Sequence, residues 1–363
     1  VNTNGKFTKN NNSLPQMHSS GSCVKPFDFD ADGDLDLFVG SRLLPQHYPH
    51  PGQSYLLENV NGKFKDVTQK SAPQLMNLGL ITDAIWTDID NDNTAELIVV
   101  GEWMPITIFQ MKDSVYEKVD LGLEDTNGWW NSIEAADMDH DGDMDFVVGN
   151  LGLNYKYKAS ITEPFEVYAN DFDDNGTNDI VLGYYNQGDL FPLRGRECSS
   201  GQMPFIKEKF PTYDSFGTAD LSQVYGKDKL ANALHLKAKT FASVYLENNG
   251  NGTFDVVELP NQGQVSSVND IIIDDFNNDK KLNILIAGNF YQSEVETPRN
   301  DASFGLVFNY EGNRRFTALA SKKSGISIDG DVKKLKPILI GRERRKAILV
   351  AKNNDFIEII ISN

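Results

Sequence analysis

The stretch that decides the fold is DFDADGDLDLFVG, residues 28–40. It places Asp at alternate positions of a short loop, puts Gly33 at position 6, and runs directly into an apolar segment. Alternate carboxylates on a tight loop let a short backbone surround a hard cation, and Ca²⁺ accepts about six to eight oxygen ligands in irregular geometry. Residues 137–149, DMDHDGDMDFVVG, repeat the frame. Both stretches predict a calcium loop that leads into a buried strand.

Three further loops keep this frame with altered ligands. The predicted ligands in chain order are Asp28, Asp30, Asp32, Asp34 and Asp36; Asp88, Asp90, Asp92 and Glu96; Asp137, Asp139, Asp141, Asp143 and Asp145; Asp171, Asp173, Asn175 and Asp179; Asp275, Asn277 and Asp279. Position 6 requires a sharp turn with positive φ, which glycine and asparagine tolerate. The fifth loop has Lys280 there and Lys281 beside it, and both oppose a divalent cation. We therefore predict four Ca²⁺ sites and a degraded fifth loop. Solvated acidic turns are the alternative, but they explain the fivefold recurrence poorly.

The loops differ from EF-hands. An EF-hand needs a bidentate glutamate at position 12 and a helix on each side, whereas position 12 is Val39 in the first loop and apolar in the other four. The flanking segments are rich in β-branched residues and end at glycine, which is typical of buried strands. Each unit is therefore predicted to be a hairpin whose turn is the metal loop.

A second hairpin follows several loops. Residues 54–68, SYLLENVNGKFKDVT, and residues 243–259, SVYLENNGNGTFDVVEL, each read as two strands around an Asn/Gly turn. Two hairpins make a four-stranded blade, so we predict an all-β fold: a single β-propeller domain over residues 1–363 with six or seven blades. The spacing of the loops is uneven, and the third blade either lacks outer strands or is followed by an extra blade. The N-terminal NGKFTKNN resembles a final strand and is predicted to complete the last blade.

Residues 192–240 interrupt the strand pattern. Their spacing predicts two or three short helices, with Asp220 and Ser222 near helix starts and Gly226 near a helix end. Such an insertion suits either a structural flap over one end of the ring or a lid that shapes a ligand site.

The loop and strand motifs resemble the FG-GAP or VCBS repeats of integrin α-subunit head domains. The chain is most similar to the bacterial surface group related to cartilage acidic protein. Segments such as RECSSGQMPFIKEKFPTY (196–213) also look like that group, and the resemblance spans essentially the whole chain. It implies a calcium-binding propeller of the cell exterior used in adhesion. The last unit, residues 336–355, departs from the pattern because it has lost the acidic ligands.

The composition narrows the partners. There are 52 acidic against 34 basic residues, a net charge of −18, which argues against nucleic acid because phosphate binding needs a basic surface. No apolar run approaches the ~20 residues that span a bilayer. An acidic chain that needs Ca²⁺ suits an extracellular, cell-surface or periplasmic location.

We place the candidate ligand site on the propeller face opposite the metal loops. Its predicted residues are Arg42, Tyr48, Trp103, Trp129, Trp130, Asn154, Tyr291, Glu294 and Arg299. Aromatic rings, amides and arginine on one face suit a glycan or an extracellular protein ligand. Each aromatic taken singly also suits packing between blades.

A non-catalytic structural module of a larger surface protein is the alternative function, and an enzyme is a further one. The sequence has five histidines and no HExxH, GxSxG or P-loop pattern, so we expect no enzyme activity. Paired carboxylates such as Glu294 and Glu296 suit acid–base cleavage of a glycosidic bond, as in a polysaccharide hydrolase or lyase. The two cysteines, Cys23 and Cys198, are either a disulfide across the insertion or two unpaired thiols.

Overall fold

The computed structural model describes residues 2–276, 279–293 and 297–361 and is mostly β. It begins with an N-terminal hairpin of two short strands, β1 (Asn2–Thr3) and β2 (Lys6–Phe7). The turn residues Asn4 and Gly5 have φ of 52° and 81°, a conformation that asparagine and glycine tolerate. Among the described residues these strands pair only with each other, so their predicted role in the last blade stays a prediction.

The first and second sheets are each built from an inner hairpin closed by a metal loop and an outer hairpin closed by a short turn. Their elements are β3 (Ser20–Phe27), β4 (Asp36–Leu43), β5 (Tyr55–Val60), β6 (Lys63–Asp66), α1 (Thr68–Ser71), β7 (Leu80–Thr87), β8 (Glu96–Met104), β9 (Thr107–Lys112), β10 (Val115–Val119) and β11 (Gly128–Trp129). All pairings are antiparallel, and β11 adds a short fifth strand on the edge of β8.

The third sheet is interrupted by a fourth sheet inserted between its two hairpins. The elements in chain order are β12 (Ser132–Ala136), β13 (Asp145–Gly149), β14 (Phe165–Asn170), β15 (Asp179–Asn186), β16 (Asp189–Pro192), α2 (Arg196–Gln202), α3 (Phe205–Lys209), α4 (Tyr213–Gly217), α5 (Leu221–Tyr225), α6 (Lys227–Ala231), β17 (Leu234–Ala238), β18 (Val244–Asn248) and β19 (Phe254–Glu258). The third sheet is β12-β13-β18-β19, and the fourth is β16-β15-β14-β17. The third sheet therefore has outer strands, taken from beyond the insertion.

The predicted helical insertion is confirmed, but it holds five short helices within residues 196–231 rather than two or three. Asp220 caps α5: its side chain accepts from the backbone N–H of Gln223, and the Gln223 side chain accepts from the N–H of Asp220. Gly226 follows α5 with φ of 85°. The predicted insertion, residues 192–240, extends too far at its C-terminal end, because Leu234–Ala238 form β17, which pairs with β14.

The fifth and sixth sheets complete the chain. Their elements are β20 (Asp270–Asp274), β21 (Asn283–Ala287), β22 (Leu306–Tyr310), β23 (Phe316–Leu319), α7 (Ser321–Ser324), β24 (Val332–Ile340), β25 (Arg345–Lys352) and β26 (Glu358–Ile361). The fifth sheet has four strands, and the sixth has three among the described residues.

Six antiparallel sheets consistent with a propeller confirm the predicted fold class. Strands β3, β7, β12, β20 and β24 lie side by side in that order, so the first strands of five sheets surround a centre. The fourth sheet instead contacts β8 and β11 through β17. No helix of the described residues is long and apolar enough to cross a membrane.

Apolar side chains fill the spaces between successive sheets. Ile98 and Val100 of the second sheet pack with Phe146 and Val148 of the third, and Phe165 of the fourth sheet packs with Trp103 of the second. These apolar contacts between successive sheets stabilise the fold, at roughly 25 cal/mol per Å² of apolar surface buried.

Charged side chains line the centre. Lys25 Nζ lies 2.8 Å from Asp83 Oδ1, and Lys334 Nζ lies 3.0 Å from Asp270 Oδ1 and 3.5 Å from Asp83 Oδ2. These groups come from β3, β7, β20 and β24, so ion pairs connect first strands across the centre. Glu134 of β12 faces the same cluster, and burial, opposed by Lys25, raises the pKa of its carboxyl to about 7.

Because of this raised pKa, we expect Glu134→Gln to increase the free energy of unfolding by an amount that depends on pH. Its unfolded value, 4.5, is lower, so the unfolded chain loses the proton first and the free energy of unfolding falls as pH rises from about 4.5 to 7. Because Lys25, Lys336, Asp83 and Asp270 also face Glu134, the gain is discounted to about 1–3 kcal/mol at pH 8. At pH 4 no gain is expected. Urea unfolding of the wild type and the variant in saturating Ca²⁺ at both pH values measures it, and an equal effect at both would contradict the assignment.

Candidate metal centres and the opposite face

The metal loops share one backbone frame. In the first loop, Asp28 accepts from the N–H groups of Asp32 (3.1 Å) and Gly33 (3.0 Å), and Asp32 Oδ1 accepts from Asp34 N (3.0 Å). The same three bonds recur from Asp88, Asp137, Asp171 and Asp275, with Asn175 replacing the aspartate in the fourth loop. The repeat predicted from spacing is therefore a repeat of local structure.

The carboxylate at position 9 holds the loop onto its sheet. Asp36 is 1% exposed and accepts from Phe29 N at 3.1 Å and from Asn59 N, in the outer hairpin, at 2.7 Å. Asp145 does the same with Met138 N and Asn248 N, and it also accepts from Tyr245 Oη. Predicted as cation ligands, Asp36 and Asp145 thus have a second role in joining the inner and outer hairpins.

Two positions of the metal loop, position 6 and position 4, have a left-handed backbone conformation. Gly33 and Gly142 at position 6 have φ of 96° and 99°, which confirms the expected conformation. Position 4 is also left-handed, with φ of 59° at Ala31 and 63° at His140. The sequence did not predict this second left-handed residue because position 4 of the loop varies in residue type. Asn91, at position 4 of the second loop, is one signal, since asparagine tolerates positive φ.

Four of the loops bring acidic oxygens together. One ligand oxygen from each member lies within 4.8 Å of the others in four clusters: Asp28, Asp30 and Asp32; Asp88, Asp90 and Glu96; Asp137, Asp139 and Asp141; Asp171, Asp173 and Asp179. Asp34 Oδ1 and Asp173 Oδ1 are shielded from solvent and have no hydrogen-bond partner among the described residues. Donor sets made only of oxygens, with shielded carboxylate oxygens that lack a hydrogen-bond partner, fit Ca²⁺. These residues can hold it, and the bound ion would neutralise their charge and fix the loop.

Burial raises the pKa of the position-9 carboxyls, to about 6 for Asp36 and Asp145 and about 7 for Glu96. Neighbouring aspartates of the same loop add to the shift: Asp30 and Asp34 for Asp36, and Asp90, Asp92 and Asp88 for Glu96. A nearby divalent cation favours the charged form of all of these groups. The loops therefore concentrate negative charge that a cation relieves.

The fifth loop keeps the frame but not the cluster. Asp275 accepts from Asp279 N at 3.1 Å and from Lys280 N at 2.8 Å, and Asn283 replaces the position-9 carboxylate and accepts from Phe276 N. Asn277 lies outside the described residues. No acidic cluster forms here among the residues that are described, consistent with the predicted degradation.

Lys280→Gly should stabilise the protein. Lys280 has φ of 68°, and a residue with a side chain pays about 1–2 kcal/mol in this region. Glycine avoids that strain but has a more flexible unfolded state, so we expect a net gain of about 0.5–1 kcal/mol. Urea unfolding measures the change. Lys281→Gly is the matched control and should destabilise slightly; equal effects of both variants would contradict the strain argument.

Contacts also link neighbouring loops and the insertion. Asn91 Nδ2 donates to Asp143 Oδ1 at 2.6 Å, which joins the second loop to the third. Gln202 of α2 donates to Asp179 at 3.0 Å, and Lys229 of α6 pairs with Asp174. The helices pack on the fourth sheet around Phe172 and Val181. The insertion therefore braces the fourth loop, as a structural flap does.

The structure buries part of the predicted ligand face. Trp103 is 3% exposed and Trp130 is 0% exposed. The ring of Trp103 lies 4.9 Å from that of Trp129 and stacks on Phe165 at 5.7 Å. The assignment of Trp103 and Trp130 as ligand residues is therefore wrong. The fourth sheet covers the ring of Trp103, and Trp130 is buried in the core between the second and third sheets. Trp129 remains half-buried in the same cluster.

Other predicted ligand residues stay accessible. Arg42 pairs with Glu102, and the hydroxyl of Tyr48 accepts from Trp103 Nε1 at 2.7 Å. Asn154 is exposed and donates to Val265 O, and Arg299 lies over the ring of Tyr291 at 4.7 Å. Glu294 and Glu296 lie outside the described residues.

Asparagine side chains connect the loops on this face through hydrogen bonds. Asn150, fully buried, accepts from Trp129 N and Leu151 N and donates to Thr240 O and Ala242 O. Asn300 Nδ2 donates to Leu151 O at 3.3 Å. The loops that carry Asn154 and Arg299 are therefore fixed to one another.

A polar network on the fourth sheet was not predicted. Glu166, 1% exposed, accepts from Tyr168 Oη at 2.5 Å, lies 3.0 Å from His235 Nε2 and 3.3 Å from Lys237 Nζ. Hydrogen bonds from His235 and Tyr168 lower the pKa of Glu166 despite its burial. Glu166 and Tyr168 are far in sequence from His235 and Lys237, so no local spacing predicts that these two pairs meet.

Cys23 and Cys198 are both free thiols, in agreement with the unpaired alternative. Burial raises the pKa of the Cys23 thiol to about 11, so this thiol is unreactive near neutral pH.

Comparison with known proteins agrees with the repeat. The model of the FG-GAP-like repeat matches residues 28–99 and 88–148. No curated protein matches the chain. Similar solved structures include BBS1N in complex with ARL6DN, which is 10% identical over 96% of this chain and 82% of that chain, with a TM-score of 0.34. The exotype rhamnogalacturonan lyase YesX is 12% identical over 94% of this chain and 56% of that chain, with a TM-score of 0.35. The V. cholerae biofilm matrix protein Bap1 is 9% identical over 94% of this chain and 69% of that chain, with a TM-score of 0.30. The matched residues and the shared loop frame therefore identify FG-GAP-like repeats within residues 28–148.

Proposed function

We propose that this protein is a calcium-stabilised, non-catalytic recognition module of the cell exterior. It binds a glycan or a protein on the face opposite the metal loops. The observation that carries the proposal is that the two ends of the sheets carry different kinds of loop. One end carries four acidic clusters that fit Ca²⁺, and the other end carries loops held together by buried amides.

Calcium supports recognition in this proposal through rigidity. Each metal loop closes an inner hairpin, and its position-9 side chain bonds the sheet on which the opposite loops are mounted. Loops that are already fixed lose less entropy when a ligand binds. The net charge of −18 is partly neutralised by the bound cations, which favours calcium-rich surroundings.

The binding surface consists of the accessible residues of that face. Arg42, Asn154 and Arg299 are exposed, and Tyr291 is half-buried under Arg299. Arginine and tyrosine supply planar hydrogen bonding and stacking, which suit both sugar rings and protein side chains.

Binding arrays of glycans and of peptides, probed with the full chain in millimolar Ca²⁺ and in EDTA, test the proposal. We expect saturable binding in Ca²⁺ that is lost in Arg299→Ala and Tyr291→Ala. Arg342→Ala is the matched control, because Arg342 is exposed at the turn between β24 and β25, and it should keep binding. Silence on both arrays would favour the structural-module alternative, and turnover of a polysaccharide would favour an enzyme.

A further inference from the structure

The metal-loop end of the molecule carries opposite charge on different sheets. The first three sheets carry acidic clusters at this end. The fifth and sixth sheets carry basic residues instead: five of the nine arginines of the chain lie in two of their turns, residues 312–315 and 341–345, and the degraded fifth loop adds Lys280 and Lys281. Cations therefore lie on the two sheets that have no acidic cluster among the described residues.

Topology and ion pairs place these turns beside one another. The fifth loop and the turn between β22 and β23 lie at the same end of the fifth sheet, because its strands are antiparallel in chain order. Lys346, at the start of β25, donates to Asp274, at the end of β20, at 3.1 Å. Arg314 of the β22–β23 turn pairs with Glu247 and Asp255 of the outer hairpin of the third sheet. The turns of the fifth and sixth sheets thus form one continuous part of the metal-loop end.

Arg314 and Lys346 are used in these ion pairs, but the other basic side chains of the two sheets are available to a partner. They are exposed, and none forms an ion pair with a residue that the structure describes. Asp279, Glu311 and Glu343 lie in the same turns and offset part of the positive charge. The available cations form a basic surface that consists of Lys280, Lys281, Arg315, Arg342, Arg344 and Arg345.

Three basic residues at this end keep their charge at a conformational cost. Lys280, Arg314 and Arg344 have φ of 68°, 60° and 52°, and no other lysine or arginine among the described residues has a positive φ. Glycine adopts this conformation without strain, as Gly33 does at the position that corresponds to Lys280. A side chain held in a strained conformation points to a role for that side chain. Arg314 has such a role in its ion pairs with the third sheet, and a partner outside the chain would supply one for Lys280 and Arg344.

We propose that the basic surface binds an acidic polysaccharide, a linear chain of sugars that carries carboxylate or sulfate groups. Guanidinium groups are planar and hold such oxyanions through paired hydrogen bonds, and four of the six cations are arginines. The cations come from three turns of two neighbouring sheets, so one extended chain contacts all three turns. The basic surface lies at the opposite end of the sheets from the recognition face proposed above, and neither inference depends on the other.

The charge of the neighbouring sheets favours a chain over a flat anionic surface. A lipid bilayer would have to approach the whole metal-loop end, including the acidic loops of the first three sheets, and like charges at short distance repel. A polysaccharide chain lies on the fifth and sixth sheets alone. Divalent cations in the acidic clusters offset part of the net charge of −18, so Ca²⁺ should tighten the binding of a polyanion.

Fluorescence anisotropy with two labelled probes tests the proposal. A heparin octasaccharide carries sulfate and carboxylate groups, and a hyaluronate octasaccharide carries carboxylates alone. The full chain is titrated into each probe at low salt in millimolar Ca²⁺. We expect the triple variant Arg315→Gln, Arg344→Gln and Arg345→Gln to raise the Kd by about tenfold or more, because it removes half of the cations of the basic surface.

The matched control is the triple variant Lys63→Gln, Lys65→Gln and Lys112→Gln. It removes the same charge from exposed positions of the first and second sheets and should change the Kd by less than about twofold, because charges outside the contact are screened by salt. Both variants change exposed residues, so their thermal melts in Ca²⁺ should match that of the wild type. Equal losses of binding in the two variants would show a response to net charge alone and would overturn the site.

The remaining outcomes separate this site from other occupants and from the opposite face. Probe binding that is lost in Arg299→Ala would belong to the opposite face and would overturn the assignment to the basic surface. Binding to vesicles that contain phosphatidylglycerol, without binding to either probe, would overturn the proposal in favour of a lipid surface. Association of the wild type in EDTA that Ca²⁺ reverses, again without probe binding, would overturn it in favour of a second copy whose acidic loops face the basic surface.

Discussion

Removing Ca²⁺ should lower the melting temperature of this protein by more than any single substitution in its core. A ligand that binds only the native state adds about 2.7 kcal/mol per site at a hundredfold excess over its Kd. Four acidic clusters at that excess give roughly 10 kcal/mol in total, which is comparable to the whole free energy of unfolding of a typical domain. Without the cations, the crowded carboxylates within each cluster also repel one another. Thermal melts in excess EDTA and in millimolar Ca²⁺ measure the difference.

Asp139→Ala should remove about one site's share of this difference. Asp139 belongs to the cluster of the third loop and accepts from Asp141 N at 3.2 Å, so its loss removes both a ligand and a loop bond. His140→Asn is the matched control, because His140 is exposed with φ of 63° and the second loop already has Asn91 at this position. An unchanged melt between EDTA and Ca²⁺, or equal losses in both variants, would show that the loops are acidic turns rather than metal sites.

The metal loops could be predicted because their structure is set by residues that are adjacent in sequence. Asp28 and Gly33 are five residues apart and bond directly, so the spacing of side chains and the required backbone conformation coincide in one short motif. The glycines at position 6 and the apolar runs after each loop then gave the inner hairpins. The sequence also shows that Lys280 replaces the glycine or asparagine at position 6 of the fifth loop, and the structure gives Lys280 the same positive φ, 68°.

The pairing of hairpins could not be predicted in the same way. The outer hairpins β5–β6 and β18–β19 have nearly the same sequence pattern, so the pattern does not say which inner hairpin each one joins. The structure pairs β18 with β13 across the whole inserted sheet. The charged centre has the same origin, since Asp83 meets Lys334 through the arrangement of first strands and not through local spacing.

The aromatic face was misassigned for a related reason. Trp103 lies near the end of β8 and Trp130 directly follows β11, and a sequence gives no direct sign of what covers such residues. The cover of Trp103 is the fourth sheet, whose Phe165 is 0% exposed and whose β17 contacts β8, whereas Trp130 is buried between the second and third sheets. Trp103 is thus a core residue because an insertion elsewhere in the chain folds back onto it.

This burial makes Trp103→Ala a severe substitution, with an expected loss of about 3–5 kcal/mol in the free energy of unfolding. Its ring stacks on Phe165 and its Nε1 donates to the hydroxyl of Tyr48 at 2.7 Å. Trp103→Phe keeps an aromatic ring but removes this donor and part of the volume, so it should cost less, about 1–2 kcal/mol. Urea unfolding in saturating Ca²⁺ measures both.

Tyr291→Ala is the control for this prediction, since Tyr291 is half-buried on the same face and carries its contact with Arg299 at the surface. Its effect on stability should stay within about 0.5 kcal/mol. If Trp103→Ala were instead as stable as the wild type and only weakened ligand binding, the ring would have to be accessible. The fourth sheet would then not be docked on the second, and the ligand face would have to include the tryptophans. The two readouts therefore decide whether this aromatic cluster joins two sheets or recognises a partner.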